Sequence, residues 1–303
     1  MPRGYVPTLL VLALAWGSSF MFIEFAIEDL TPAATMAARL VIAASVLLGI
    51  LIARRGFRQA IGCLRQFGRS GLVLGAVTTA LPFWLIAWGQ THIDSGIAAI
   101  GNAAMAIFVA LLAIRFAPGE RVTGMRAVGI GLGILGVGVL VGLDPQGGWW
   151  GAIGTLAVVL AAVSYAGGSL YSQRKLDDSS GLLIMTASTI WGALVLLPLG
   201  IVQAPSELPG GKAIMAILVM GVVSTAIGLL LYIHLVENYG SSRASLVVYL
   251  LPVIALFYGA VFLDEPLRAT ALVGLALILG GVALGSGLVR PLRRQEPIPA
   301  PTP

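Results

Sequence analysis

Two ionisable side chains, Glu24 and Arg39, sit inside apolar stretches of this chain. A charge in such surroundings is costly and is by default a candidate for function. Glu24 lies near the end of the first stretch. Arg39 is seven residues into the second, roughly 10 Å deep at 1.5 Å per residue. A short connection joins the two stretches and brings the side chains within reach of each other. Two readings stand. In one, the pair neutralises itself, or the arginine extends to the end of its stretch. In the other, the two form a gate, or Arg39 binds the carboxylate of a substrate. Neither residue is at the middle of its stretch, where a proton-relay carboxylate is expected, so proton coupling has no direct support.

The middle positions are weakly polar or aromatic instead. Asn102 is about nine residues into the fourth stretch, and an amide there needs a partner, either a ligand or a neighbouring helix. Pro82 and Pro252 are central in the third and ninth stretches; each removes a backbone donor and frees carbonyls. A packing kink is one reading of them, a hinge or a carbonyl-lined wall the other. Gly228 stands where an internal repeat puts the counterpart of Pro82. Trp16, Ser18, Trp84, Tyr165, Tyr232 and Tyr249 complete the candidate binding set. Trp84 shares a helix face with Trp88 at i, i+4 spacing, while Trp88, Trp149 and Trp150 suit an interfacial belt. An apolar wall with a few polar groups suits zwitterions of varied side chain. Phosphorylated compounds would need buried lysine or arginine clusters.

Other chemistries find no foothold. With two His and one Cys, no metal cluster or disulfide framework is expected. No Ser–His or aspartyl pair sits mid-stretch, so no catalytic residue and no cofactor are expected. Residues 131–136 spell GxGxxG, but inside an apolar stretch with no strand before it. Asp177-Asp178 has no second acidic motif to complete a metal site.

The elements that must position these residues follow from composition. Hydrophobic residues make up 58% of the 303 and charged ones 10%, at a mean hydropathy of +0.98. That excludes a disordered chain, a nucleic-acid binder and an ordinary soluble enzyme. About 20 apolar residues cross the hydrocarbon core as a helix. Ten such stretches are read, at 7–27, 32–53, 71–90, 93–114, 127–143, 150–171, 182–202, 213–235, 244–263 and 269–289. Ala13-Leu14-Ala15 imitates a signal cleavage site, but the apolar run continues past it and the first stretch is expected to remain. With the N-terminus in the cytoplasm, fifteen of the eighteen Lys and Arg fall in cytoplasmic segments. Only Lys212 and Arg268 fall in outer loops, which hold Glu28, Asp29, Asp94, Asp144, Glu207, Asp264 and Glu265 instead. Both termini are therefore expected in the cytoplasm, and the high pI reflects topology rather than nucleic acid.

The chain also repeats itself. Phe116-Ala117-Pro118-Gly119-Glu120, followed by Gly129 and Gly136, corresponds to Phe262-Leu263-Asp264-Glu265, followed by Gly274 and Gly281, at an offset of 145. Thr79-Ala80 recurs as Thr225-Ala226 at 146, and Ala15-Trp16-Gly17-Ser18 aligns with Ser164-Tyr165-Ala166-Gly167 at 149. Two five-span halves are expected, 1–148 and 149–290, with a disordered Pro-rich cytoplasmic tail at 291–303. Five being odd, the second half is inverted, an arrangement found in secondary transporters. The glycine faces of the fifth and tenth spans can pack within the chain or between two copies, which leaves a homodimer open.

With Trp16-Gly17-Ser18-Ser19-Phe20, Pro32 before Arg39, Gly119-Glu120 before the fifth span and Asp264-Glu265-Pro266-Leu267 before the tenth, the sequence resembles the EamA-type branch of the drug/metabolite transporter superfamily. Within it, the chain looks most like the aromatic amino acid exporters. The resemblance implies an all-α integral membrane protein of the bacterial inner membrane, with ten helices in two inverted repeats. It further implies export of neutral or aromatic amino acids and other metabolites by alternating access. Drugs or other hydrophobic molecules are the alternative cargo. The second-half counterpart of Trp-Gly-Ser is degraded to Tyr165-Ala166-Gly167, so roles do not transfer between halves by symmetry.

Overall fold

Long apolar runs punctuated by Gly, Pro and charged residues fold here into helices joined by tight connections. The computed structural model describes residues 4–116, 124–142, 148–176 and 180–285. Its helices are α1 (Tyr5–Ile27), α2 (Pro32–Arg55), α3 (Phe57–Gln90), α4 (Ser95–Leu112), α5 (Met125–Gly142), α6 (Gly148–Lys175), α7 (Gly181–Val202), α8 (Gly211–Tyr239), α9 (Val247–Phe262) and α10 (Ala269–Gly285). A single turn, Ser241–Ala244, precedes α9. No strand occurs among the described residues. Seven helices, α1 to α4 and α6 to α8, are long and apolar enough to cross a membrane, and α5, α9 and α10 contain shorter apolar helices. The expected turn at Gly119-Glu120, Asp144, Asp177-Asp178 and the tail lie outside the described residues.

Local signals set the boundaries. Pro32 opens α2 where its missing N–H costs nothing, and the Thr31 hydroxyl accepts from Ala34 N at 3.3 Å. Residues 57–70, read from sequence as a connector, are helical. Arg58, Arg65 and Arg69 face outward while Ala60 and Phe67 are buried. This amphipathic segment bends at Gly68 (φ 36°) into the apolar part of α3. Its charges hid it from a hydropathy reading, although Ala60, Leu64 and Phe67 already had helical spacing.

Both α3 and α8 are interrupted by π-helix, at Ala76–Ala80 and Met220–Ile227. The recurring pairs Thr79-Ala80 and Thr225-Ala226 lie inside these two stretches, and π-turns inside α-helices concentrate at functional sites. Each stretch starts beside a glycine that admits a helix of the other half. A Cβ on Gly75 would stand 2.5 Å from Gly192 N of α7, and one on Gly221 would stand 2.7 Å from Ile42 Cβ of α2. Gly228 follows the second π stretch directly, and Pro82 follows the first after Leu81.

The glycine faces of α5 and α10 pack on each other within the chain. A Cβ on Gly281 would lie 2.5 Å from Gly129 O and 2.6 Å from Gly133 N, and one on Gly136 would lie 2.9 Å from Leu277 Cβ. Gly281→Ala is therefore expected to lower the unfolding temperature in detergent by several degrees, overpacking costing about 1–3 kcal/mol. Its neighbour Gly280 has nothing within 4 Å of a built Cβ, so Gly280→Ala should leave the temperature unchanged or raise it.

Candidate functional site

Arg39 is 6% exposed in the upper part of α2. Its Nε donates to Thr225 Oγ1 at 2.9 Å, and its guanidinium carbon lies 4.4 Å from the centroid of the Phe83 ring. Among the described residues Nη1 meets only the thioether of Met220, at 3.9 Å, and neither terminal nitrogen has an oxygen acceptor. The π stretch explains why Thr225 can serve. Its hydroxyl donates to Met220 O, five residues back, at 2.9 Å, leaving lone pairs for Arg39. Phe83 in turn meets Tyr165 edge-on, with centroids 6.4 Å apart. A buried cation is thus held by one hydroxyl and one aromatic face, with terminal N–H groups that a carboxylate could bind in fork geometry.

Glu24 does not pair with Arg39, so of the open readings the self-neutralising pair is not the arrangement seen. Arg39 turns toward α8, and the half-buried Glu24 carboxylate instead accepts from Gln90 Nε2 at 3.3 Å. The same nitrogen donates to Phe20 O at 2.9 Å, so Gln90 fixes α3 against α1 at the end that carries Glu28, Asp94 and Glu265. That acid end is also tied by Lys212, 2.7 Å from Glu28 and 4.2 Å from the Phe25 ring centroid.

The other expected residues fall into separate groups. Tyr165 and Trp84 pack against the same core as Phe83, beside Arg39. Trp16 lies against Tyr232, with centroids 5.5 Å apart, and over Gly228, whose missing side chain admits the indole. Tyr249 of α9 packs against the apolar cluster that includes Ile100, Ala103 and Ala104 of α4, the stretch that carries Asn102, and Asn102 Oδ1 is buried without a hydrogen-bond partner. Ser18 is buried and donates to Ala15 O of its own helix at 3.0 Å. Pro82 and Pro252 are buried inside their helices. Trp16, Trp84, Asn102, Tyr165, Tyr232 and Tyr249 each keep part of their surface accessible although they lie within apolar helices. Sequence reasoning did not single out Phe83, Gln90 or Met220. It noted Thr225 only as half of a repeat, and only that repeat could have drawn attention to it.

A buried charge with so few acceptors works against the fold, and removing it for an apolar side chain of similar reach is often neutral or stabilising by about 1–4 kcal/mol. Arg39→Met is accordingly expected to raise the unfolding temperature while transport is lost; an arginine with a purely structural role would lower both.

The EamA-like transporter family matches residues 4–142 and 152–287. The inner membrane transporter YedA of Escherichia coli is 26% identical over 303 residues, covering 97% of this chain and 94% of that protein. A protein of Escherichia coli named "Probable amino-acid metabolite efflux pump" is 26% identical over 286 residues, covering 90% and 91%. A solved crystal structure superposes with a TM-score of 0.66 at 19% identity, covering 95% of this chain and 99% of that one, which supports the fold alone. The helical apolar architecture and the match along both halves agree: this chain is a membrane transporter of the EamA-like transporter family, within the drug/metabolite transporter superfamily.

Proposed function

We propose that the protein exports amino acids, neutral and aromatic ones with broad tolerance, and related metabolites across the bacterial inner membrane by alternating access. The observation that carries this reading is Arg39, a buried guanidinium whose terminal nitrogens meet no oxygen acceptor among the described residues, flanked by Phe83 and Tyr165. A substrate carboxylate supplies the missing acceptors, and the aromatic surroundings accept varied side chains. The relative named as an amino-acid metabolite efflux pump supports the same class of cargo.

In this reading, ten helices span the membrane as two inverted five-helix repeats with both termini in the cytoplasm. The paired contacts support it. Arg39 of α2 bonds Thr225 in the π stretch of α8, and Ser188 of α7 bonds Thr79 in the π stretch of α3 at 3.0 Å. Residues 39 and 188 are 149 apart and residues 79 and 225 are 146 apart, the offsets of the sequence repeat. The exposed arginines at one end and the carboxylates at the other support the orientation. Transport runs down the substrate gradient in this reading, since among the described residues no carboxylate bonds to Arg39.

The test is uptake of labelled phenylalanine and leucine by proteoliposomes without an ion gradient. Saturable uptake is expected, competed by other amino acids but not by the matching amino-acid amides. Arg39→Gln should weaken apparent affinity about tenfold or more, the worth of a hydrogen bond to a charged group. The second reading, export of drugs or other hydrophobic molecules, is favoured by the aromatic surroundings alone. It takes over if hydrophobic cations or neutral drugs compete and amino acids do not. Uptake only under an imposed proton gradient would overturn passive transport and put Glu24 forward as the coupling group.

A further inference from the structure

The C-terminal end of α9 is built to aim one carboxylate. Leu263 N and Glu265 N both donate to Gly259 O at 3.1 Å, and between them Asp264 takes a left-handed conformation, φ 54°. This helix-ending turn reverses the chain and sends Glu265 back across the molecule. Its Oε1 accepts from Ser95 N at 2.7 Å and its Oε2 from Gly96 N at 3.1 Å. Those are the first two amides of α4, which have no acceptor within their own helix. The preceding Asp94 does not cap them with its side chain.

Two glycines make the space. A Cβ on Gly259 would stand 2.9 Å from Glu265 Cδ, and one on Gly96 would stand 2.6 Å from Leu256 Cδ2. The carboxylate thus joins the second half of the chain to the first across 170 residues. Near it, α9 lies along Ser95–Ala103 of α4. Further on, the second part of α4 turns to α6 and also meets α5 and α10, and a cleft lined by Val73, Leu74, Val77, Gly168 and Tyr171 opens between α3 and α6.

We propose that Glu265 is the positioning residue of the outer, periplasmic gate: its carboxylate closes on the N-terminus of α4, and this clasp must release for substrate to leave. The clasp rests on the alternating-access reading above. It makes the structure a state closed at the acid end, in which the exit opens only when two charge-assisted hydrogen bonds break.

Single-cysteine accessibility tests this. In a Cys63→Ser background, Ile97→Cys reports on the acid end, in right-side-out spheroplasts treated with a membrane-impermeant maleimide. Tyr171→Cys reports on the opposite cleft, in inside-out vesicles. Glu265→Gln is expected to speed labelling at position 97 about tenfold or more, the equilibrium weight of a charged bidentate contact, and to slow labelling at position 171. Gly259→Ala, which keeps the carboxylate but displaces it, should do the same, and Glu28→Gln at the surface should do neither. A merely structural contact would raise labelling at both positions together, and that result overturns the proposal. Labelling unchanged in both variants, while added substrate still shifts the two positions in opposite directions, overturns the clasp and leaves alternating access standing. If substrate shifts neither position in any background, alternating access itself fails, and the clasp with it.

Discussion

A guanidinium enclosed by apolar helices must have its N–H donors answered by something, and much of this structure is arranged around how little the chain answers those of Arg39. One hydroxyl and one ring face are provided. Thr225 can offer its lone pairs because a π turn carries its own proton back to Met220 O. That turn can lie against α2 because Gly221 lets Arg39 O and Ile42 approach. Phe83 is held over the charge by a helix that carries its own π stretch just before it. Among the described residues no oxygen meets the terminal N–H groups of Arg39, and the carboxylate of the proposed cargo would supply one.

The polar contacts that join helices distant in sequence are few and placed at different depths. At the acid end, Glu265 on the α4 amides, Gln90 on Glu24 and Phe20 O, and Lys212 on Glu28 tie separate helices together. Deeper, Thr225–Arg39 and Thr79–Ser188 each join one half to the other. At that depth Ser164 Oγ also donates to Val77 O at 2.7 Å, while α5 meets α10 through glycines and backbone. Apolar contacts have little directionality and tolerate sliding, whereas the polar ones fix register; the polar ones therefore define the state of the molecule.

How much of this was legible in the sequence depends on the range of each interaction. Helix positions followed from runs of apolar residues, the start of α2 at Pro32 among them, because those signals are local. The amphipathic segment before the bend at Gly68 was missed because hydropathy averaging weighs Arg58, Arg65 and Arg69 but ignores which face they occupy. Thr79-Ala80 and Thr225-Ala226 were visible as a repeat, yet π-helix has no composition of its own, so their role was not. Glu24 and Arg39 looked like partners because a short connection joins their helices. The direction of an arginine side chain is set by the helix it packs on, and that helix is nearly two hundred residues away. Glu265 stood out only as part of a family motif, since the amides it caps belong to a helix 170 residues earlier.

The two matching polar contacts between halves are not chemically equal: one holds an arginine, the other a serine. In a dimer of identical five-helix units, a residue at this place would appear twice. Two guanidiniums would then share one apolar interior, each without a carboxylate and each repelling the other. Joining the units in a single chain removes that obligation, because each position can then change alone. Under the inverted repeat proposed above, the covalent link between halves lets one position carry a guanidinium while its counterpart carries a hydroxyl, a polarity that a symmetric pair could not acquire.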